Sequence, residues 1–177
     1  MKKLKATLVI IMLFIFTYFL QINFFSWFNI SGIMPNLFVI LVLFVGLFAG
    51  KKLGVILGLI IGFILDILLG KTLGFTGIFL AIIGLLGEYF DKNYSKDSRV
   101  MIILMSIGGT MLYEIGMYII NIIKFNIIIE IPQFLLNLIV ENIFNTLIII
   151  IIYPLMKKIG YYIEDKFKGK EFLTRYF

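Results

Sequence analysis

The stretch 46-GLFAGKKLGVILGLIIGFILDILLGKTLG-74 carries glycine at every fourth residue from Gly46 through Gly62. Asp66 takes the next place, and Gly70 and Gly74 resume the series. A four-residue repeat drifts by about 40° per step on a helix of 3.6 residues per turn, so Gly54, Gly58, Gly62 and Asp66 form a slowly winding strip. Small residues in such a strip let two helix backbones approach closely within a membrane. An acid in the same strip is expected to face another helix, because a charged Asp at the middle of a lipid-facing helix costs about 2.5–3.5 kcal/mol even on lenient scales. Asp66 also lies only four residues, roughly 6 Å, before Gly70, within reach of a polar layer near the outer face, where it is expected to cap or hydrogen-bond a neighbouring helix end.

The rest of the chain fits a membrane setting. Of its 177 residues 62% are hydrophobic, and the mean hydropathy is +1.10. Windows such as LVIIMLFIFTYFL and NTLIIIIIYPL hold no charge. A span takes about 20 apolar residues, so this length accommodates several and leaves little for a soluble domain. The N-terminal run is longer than the apolar core of a secretory signal and lacks a small-x-small cleavage site, which marks it as an uncleaved first span.

The periodicity predicts one integral membrane domain over 1–177 with six helical spans, at about 6–25, 35–50, 53–69, 72–90, 100–123 and 132–156. Pro35 is expected in the first turn of the second. With the N-terminus inside, fourteen of the sixteen basic residues fall on the cytoplasmic side, and only Lys71 and Lys124 fall outside. Both termini are therefore expected in the cytoplasm. The segment 35–50 reaches roughly 24 Å, short of the apolar core, and needs either a thinned bilayer or cover from neighbours; a re-entrant hairpin is the alternative. In the basic tail 157–177, Leu155, Ile159, Tyr162, Ile163 and Phe167 keep helical spacing. That suits a short helix on an anionic membrane face or a solvated charged tail.

On the fourth helix Gly77, Ala81, Gly84 and Glu88 repeat the small-residue theme, so the third and fourth helices are expected partners. Two more acids lie within spans. Glu114 sits beside Thr110 and Tyr113, and Glu141 belongs to a row of Gln133, Asn137, Glu141 and Asn145 spaced by four. Such a row is expected to face the bundle interior or a partner protein. For Asn137 and Asn145, plain interhelical hydrogen bonding accounts for their presence. Asp66 and Glu141 point instead to a polar cavity, an ion path or a docking surface, because ionisable groups are costly to keep in a membrane.

The chain has no Cys and no His, which removes disulfides, thiol nucleophiles, zinc sites and a Ser-His-Asp triad. The Gly-Lys-Thr at 70–72 lacks the phosphate-loop spacing and a preceding strand. The basic residues flank apolar runs instead of forming one patch, so no nucleic-acid partner is expected. No cofactor, metal or catalytic residue is expected either; the partners are the lipid bilayer and other membrane proteins.

The segment 35–78 resembles the bacterial rod-shape-determining membrane protein family MreD. The resemblance rests on Pro35-Asn36-Leu37 opening a span, the basic break Lys51-Lys52, the G-x-x-x-G-x-x-x-D-x-x-x-G-x-x-x-G core of Gly58, Gly62, Asp66, Gly70 and Gly74, and Leu73-Gly74. Nothing functional carries over to Glu114 or Glu141. The resemblance implies a non-enzymatic, multi-pass adaptor of the bacterial cytoplasmic (inner) membrane. It implies association with a bitopic MreC-like protein, and through it with MreB filaments and peptidoglycan synthases in cell-wall elongation. It also implies a fold similar to the substrate-binding S components of energy-coupling-factor vitamin transporters. Such an S component is the competing function, although Ile10, not a small residue, stands four positions after Ala6 on the first helix. A lipid-modifying enzyme ranks behind both.

Overall fold

The structure, a computed structural model, describes residues 2–68, 73–94, 96–125 and 130–168. The described residues form six helices: α1 (Lys2–Phe19), α2 (Leu37–Ala49), α3 (Lys51–Leu68), α4 (Phe75–Asn93), α5 (Arg99–Phe125) and α6 (Ile131–Phe167). A π-helical turn, Leu20–Phe24, and a last turn, Phe25–Trp27, continue α1. The connector then doubles back through a tight turn in which Ile30 pairs with Ile33. Three helical stretches are long and apolar enough to cross a membrane: Lys3–Trp27, Arg99–Phe125 and Ile131–Phe167. The architecture is that of an all-α helical membrane protein.

The centre of the bundle is α2. Its sequence, LFVILVLFVGLFA, is apolar on every face, and a helix of that kind is stable only when surrounded. All thirteen of its residues are buried, and it touches every other helix. At about 20 Å it is shorter than a bilayer core, and the neighbours supply the cover that its length demands. Pro35 stands one residue before the N-cap, Asn36, rather than inside the first turn. Gly50, at φ +91°, separates α2 from α3. A side chain there would be strained, so one glycine is the whole break and Lys51 already begins α3.

α3 and α4 form the most extensive helix pair, as their small-residue strips require. A methyl group placed on Gly58 would sit 2.6 Å from the Leu80 carbonyl. One on Gly54 would sit 2.8 Å from the Gly46 Cα and 2.9 Å from the Gly84 oxygen. Gly62 meets the Gly77 backbone just as closely. The backbones of α2, α3 and α4 therefore converge where Gly46, Gly54 and Gly84 meet, and no other residue fits there. Gly74 departs from the expected packing role. It has open space around its Cβ position and φ +94°, so it serves as a turn residue and the N-cap of α4. Gly70, Lys71 and the end of the phosphate-loop-like string lie outside the described residues.

The sixth helix does not stop near residue 156 but continues, through Pro154, to Phe167. Proline in a helix interior removes a hydrogen bond. Here tertiary packing overrides that cost, because Tyr153, Gly160, Ile163 and Glu164 are buried beyond or beside it. Gly160 lies directly against the Phe48 ring. The helical spacing of the tail is real as far as Phe167, yet that stretch packs into the bundle rather than forming a separate surface helix.

Candidate functional site

The start of α2 brings together residues from four parts of the chain. In water the first backbone N–H groups of a helix bind solvent; buried, they need protein partners. Asn36 caps the helix by accepting from the Val39 amide at 3.3 Å. Gln21, presented by the π-helical turn of α1, donates to the Pro35 carbonyl at 2.8 Å and accepts from the Leu37 amide at 3.0 Å. Asn145 of α6, fully buried, accepts from the Asn36 amide at 2.9 Å and donates to Thr110 Oγ1 of α5 at 2.8 Å. The Pro35-Asn36 pair is thus the junction at which α1, α5 and α6 grip the central helix.

Next to this junction, among residues of every helix, is a cavity of about 430 Å³. Polar groups of Gln21, Asn36, Thr76, Tyr113, Glu114 and Glu141 line it, together with apolar Ile22, Met34, Phe38, Leu65 and Leu80. Asp66 is completely buried at the C-terminal end of α3. Its Oδ2 accepts from the Gly74 amide at 2.7 Å, so the acid holds the left-handed residue that opens α4. Its Oδ1 has no hydrogen-bond partner among the described residues. Asp66, Glu114 and Glu141 all lie within electrostatic range of the Tyr113 hydroxyl. The three acids, from position 66 to position 141 of the sequence, therefore share one region.

The row on α6 divides. Asn145 faces the junction and Glu141 the cavity, whereas Asn137 accepts from Gln133 at 3.0 Å on a more exposed surface. Asn137 and Gln133 line a second cavity of about 490 Å³ with Glu114, Tyr118 and Glu130. Glu114 thus borders both cavities.

The opposite end of the bundle holds an arrangement that sequence reasoning missed. Lys96 donates to Asp91 at 2.9 Å and to Glu164, and Lys168 donates to Asp91 at 2.6 Å and to the Leu47 carbonyl at 3.0 Å. Asp91, Lys96 and Glu164 are each more than nine-tenths buried. The Lys96 ammonium also lies 5.6 Å from the centre of the Phe48 ring, within cation–π range. Burial is the largest influence on Lys96 and disfavours its charge. The hydrogen bonds and charges of Glu164 and Asp91 together outweigh it and leave the pKa above that of an ordinary lysine. Asp97 is held below the usual carboxylate range, first by its bond to Lys157 and then by the Tyr161 hydroxyl at 2.8 Å. Glu88 accepts from the Lys51 amide at 2.8 Å and pairs with Lys92 at 3.0 Å, capping α3 from α4. The only sequence signal for this network was acids lying among the lysines taken as topology markers.

Among the described residues no three acids stand close enough to share a metal ion. A family model described as rod shape-determining protein MreD matches residues 1–160. No curated protein and no solved structure gives a match. The chain belongs to the MreD family, whose role is in rod-shape determination.

Proposed function

We propose that this MreD-family chain is a non-enzymatic scaffold of the cell-wall elongation machinery. In this reading it crosses the bacterial cytoplasmic membrane six times, keeps both ends in the cytoplasm, and binds a bitopic MreC-like protein and wall-synthesis membrane proteins. The family match over residues 1–160 carries the reading. The placement of charge supports the topology: Lys51, Lys92, Lys96, Lys157 and Lys168 lie at one end of the bundle, as the positive-inside rule asks of a cytoplasmic face. The helix surfaces suit an adaptor. Leu8, Met12, Ile15 and Phe19 of α1 are exposed, and the main contacts of α1 with other helices are to α2 and α6. Asp66, Gly54, Gly58 and Gly62 act within the fold, shaping the bundle that presents those surfaces.

The cavity beside the Asn36 junction favours a second reading, the S component of a vitamin transporter, since a site for a small ligand is what such a protein needs. The inward position of Ala6 speaks against it: Ala6 and Ile10 are both buried, so the small residue of α1 is not offered for docking.

Purification from the native cell in mild detergent, followed by mass spectrometry of what stays bound, separates the two. Recovery of a bitopic MreC-like protein with wall-synthesis enzymes is the expected result. Recovery of a pair of ABC-type ATPases, or of a vitamin in stoichiometric amount, overturns the scaffold in favour of the transporter.

A further inference from the structure

We propose that the connector between α1 and α2, residues 24–34, is a membrane-interface anchor. It seats its aromatic side chains among the lipid headgroups and upper acyl chains, at the end of the bundle remote from the Lys96 network. The proposal needs α1 to cross the membrane and does not need the protein partners named above. Phe24, Trp27, Phe28, Ile30 and Met34 are all exposed, Trp27 by 87%. The rings form a patch: Phe24 stacks on Phe28 with centres 4.6 Å apart and meets Phe25 edge-on at 5.1 Å. No charged residue stands between Lys5 and Lys51, so no ionised group holds this loop in bulk water. Aromatic rings are enriched at the boundary between acyl chains and water.

Two further observations place the loop at lipid depth. The first is length. The apolar stretch Lys3–Trp27 has 25 residues and reaches about 37 Å, more than the roughly 30 Å hydrocarbon layer and less than the full bilayer. With Lys2, Lys3 and Lys5 at one interface, Trp27 comes to the opposite one. α2 covers only about 20 Å on the way back to the basic end, so the connector has to dip roughly 10 Å below the far hydrocarbon edge to meet it. The second is that the polar side chains of the loop bond to its own backbone, as a segment away from water requires. Asn23 donates to the Phe19 carbonyl at 3.1 Å, Ser26 to that of Asn23 at 2.9 Å, and Asn29 to that of Ser26 at 2.8 Å. The Asn29 side-chain oxygen accepts from the Gly32 amide at 2.9 Å, and Ile30 and Ile33 exchange both of their backbone bonds. A protein interface carries about one hydrogen bond per 100–200 Å². Here Asn23, Ser26 and Asn29 are turned to their own chain and the apolar side chains face outward, so lipid is the occupant the surface fits.

Trp27 is the only tryptophan in the chain, so the native protein carries its own reporter. The test reconstitutes the full chain in vesicles of phosphatidylglycerol and phosphatidylcholine and reads tryptophan emission. Iodide on both sides of the membrane is the aqueous quencher, and lipids brominated at graded depths are the membrane quenchers. The expected result is blue-shifted emission, with the strongest quenching by bromines on the upper acyl chain. Iodide should quench at least about fivefold less than it does in the unfolded chain, as a ring at headgroup level requires. Trp27→Phe combined with Ile30→Trp moves the reporter from the end of α1 to the turn, exchanging exposed apolar side chains for others, and should give the same pattern. Emission as in water with full iodide quenching, at either position, overturns the proposal and leaves the patch as a protein-docking surface. Strongest quenching by bromines at the chain ends also overturns it, since the loop is then a re-entrant segment of the bilayer centre. The chain is alone in these vesicles, so the result does not depend on which proteins co-purify with it.

Discussion

At the basic end of the bundle, Lys96 and Lys168 sit among Asp91 and Glu164, with the Leu47 carbonyl and the Phe48 ring completing their surroundings. At the opposite end, Asp66, Glu114 and Glu141 lie around the Tyr113 hydroxyl, and the two glutamates line a cavity. Both ends bury charge, yet one packs it into closely bonded ion pairs while the other sets it beside an open volume. A satisfied network of this kind fixes geometry; it ties the end of α6 to α2, α4 and the 94–98 loop. The Gly54–Gly62 seam lies between them and joins the two ends rigidly.

The largest effect is expected where the comparison places the most complete pairing. Lys96→Met removes one of the two lysines that Asp91 and Glu164 share and leaves them with Lys168, and breaking one side of a buried ion pair costs up to about 3–5 kcal/mol. Thermal unfolding in detergent should show a large fall in Tm. Lys96→Met combined with Glu164→Met should recover a good part of it, because the second change removes one of the two acids. A single variant as stable as the parent breaks the comparison at once, since it makes the network ornamental.

Asn145→Leu strikes the Asn36 junction. It leaves the Asn36 amide and Thr110 Oγ1 without partners, each worth about 1–3 kcal/mol when buried. The loss should appear as lower Tm and faster hydrogen exchange in the first turn of α2, with the basic end unchanged. Exchange that rises equally at both ends instead assigns Asn145 to global stability.

Asp66 sharpens the comparison further, because it belongs to the acidic end but already has one backbone partner. Asp66→Asn keeps an oxygen for the Gly74 amide, whereas Asp66→Leu strands that donor at about 1–3 kcal/mol. In a cell-shape complementation assay the asparagine should be tolerated far better than the leucine. Equal loss from both makes the negative charge itself the requirement, and Asp66 then acts with Glu114 and Glu141 rather than as a brace for α4.

The glycine register was legible because close backbone approach tolerates one residue type at one spacing, and the structure places Gly54, Gly58 and Gly62 against Gly84, Leu80 and Gly77. The burial of Asp66 followed from the same strip. Its bond to a neighbouring helix end was expected too, and the particular partner is the backbone amide of Gly74, eight residues on, beyond a turn. Gln21 was invisible: only the π-helical turn at Leu20–Phe24 aims it at Pro35 and Leu37, and nothing in LQINF announces that turn. The basic network escaped because its members lie four to seventy-seven residues apart and look like ordinary solvated charges. The sixth helix was expected to end near 156, two residues past Pro154, and tertiary packing instead carries it on to Phe167.

The smallest effect concerns the rim of the basic end and has a definite sign. Asp97 titrates below its ordinary value in the fold, so it contributes stability above the unfolded carboxyl pKa near 3.8 and loses it as pH falls through the lower folded value. The Lys96 pKa is raised, so its contribution is complete below lysine's ordinary 10.5 and is lost only as pH rises through the higher folded value. Between these limits the two groups add no pH dependence. The Asp97 side chain is 57% exposed, so solvent screens its pairing with Lys157 and the change in Tm should be modest. Asp97→Asn should flatten the acid limb of the Tm–pH profile below about pH 4 and leave the alkaline limb as it was. A variant that also shifts the alkaline limb shows that the rim and the buried network titrate as one unit. The basic end then rests on cooperation between its exposed and buried pairs rather than on the Lys96 cluster alone.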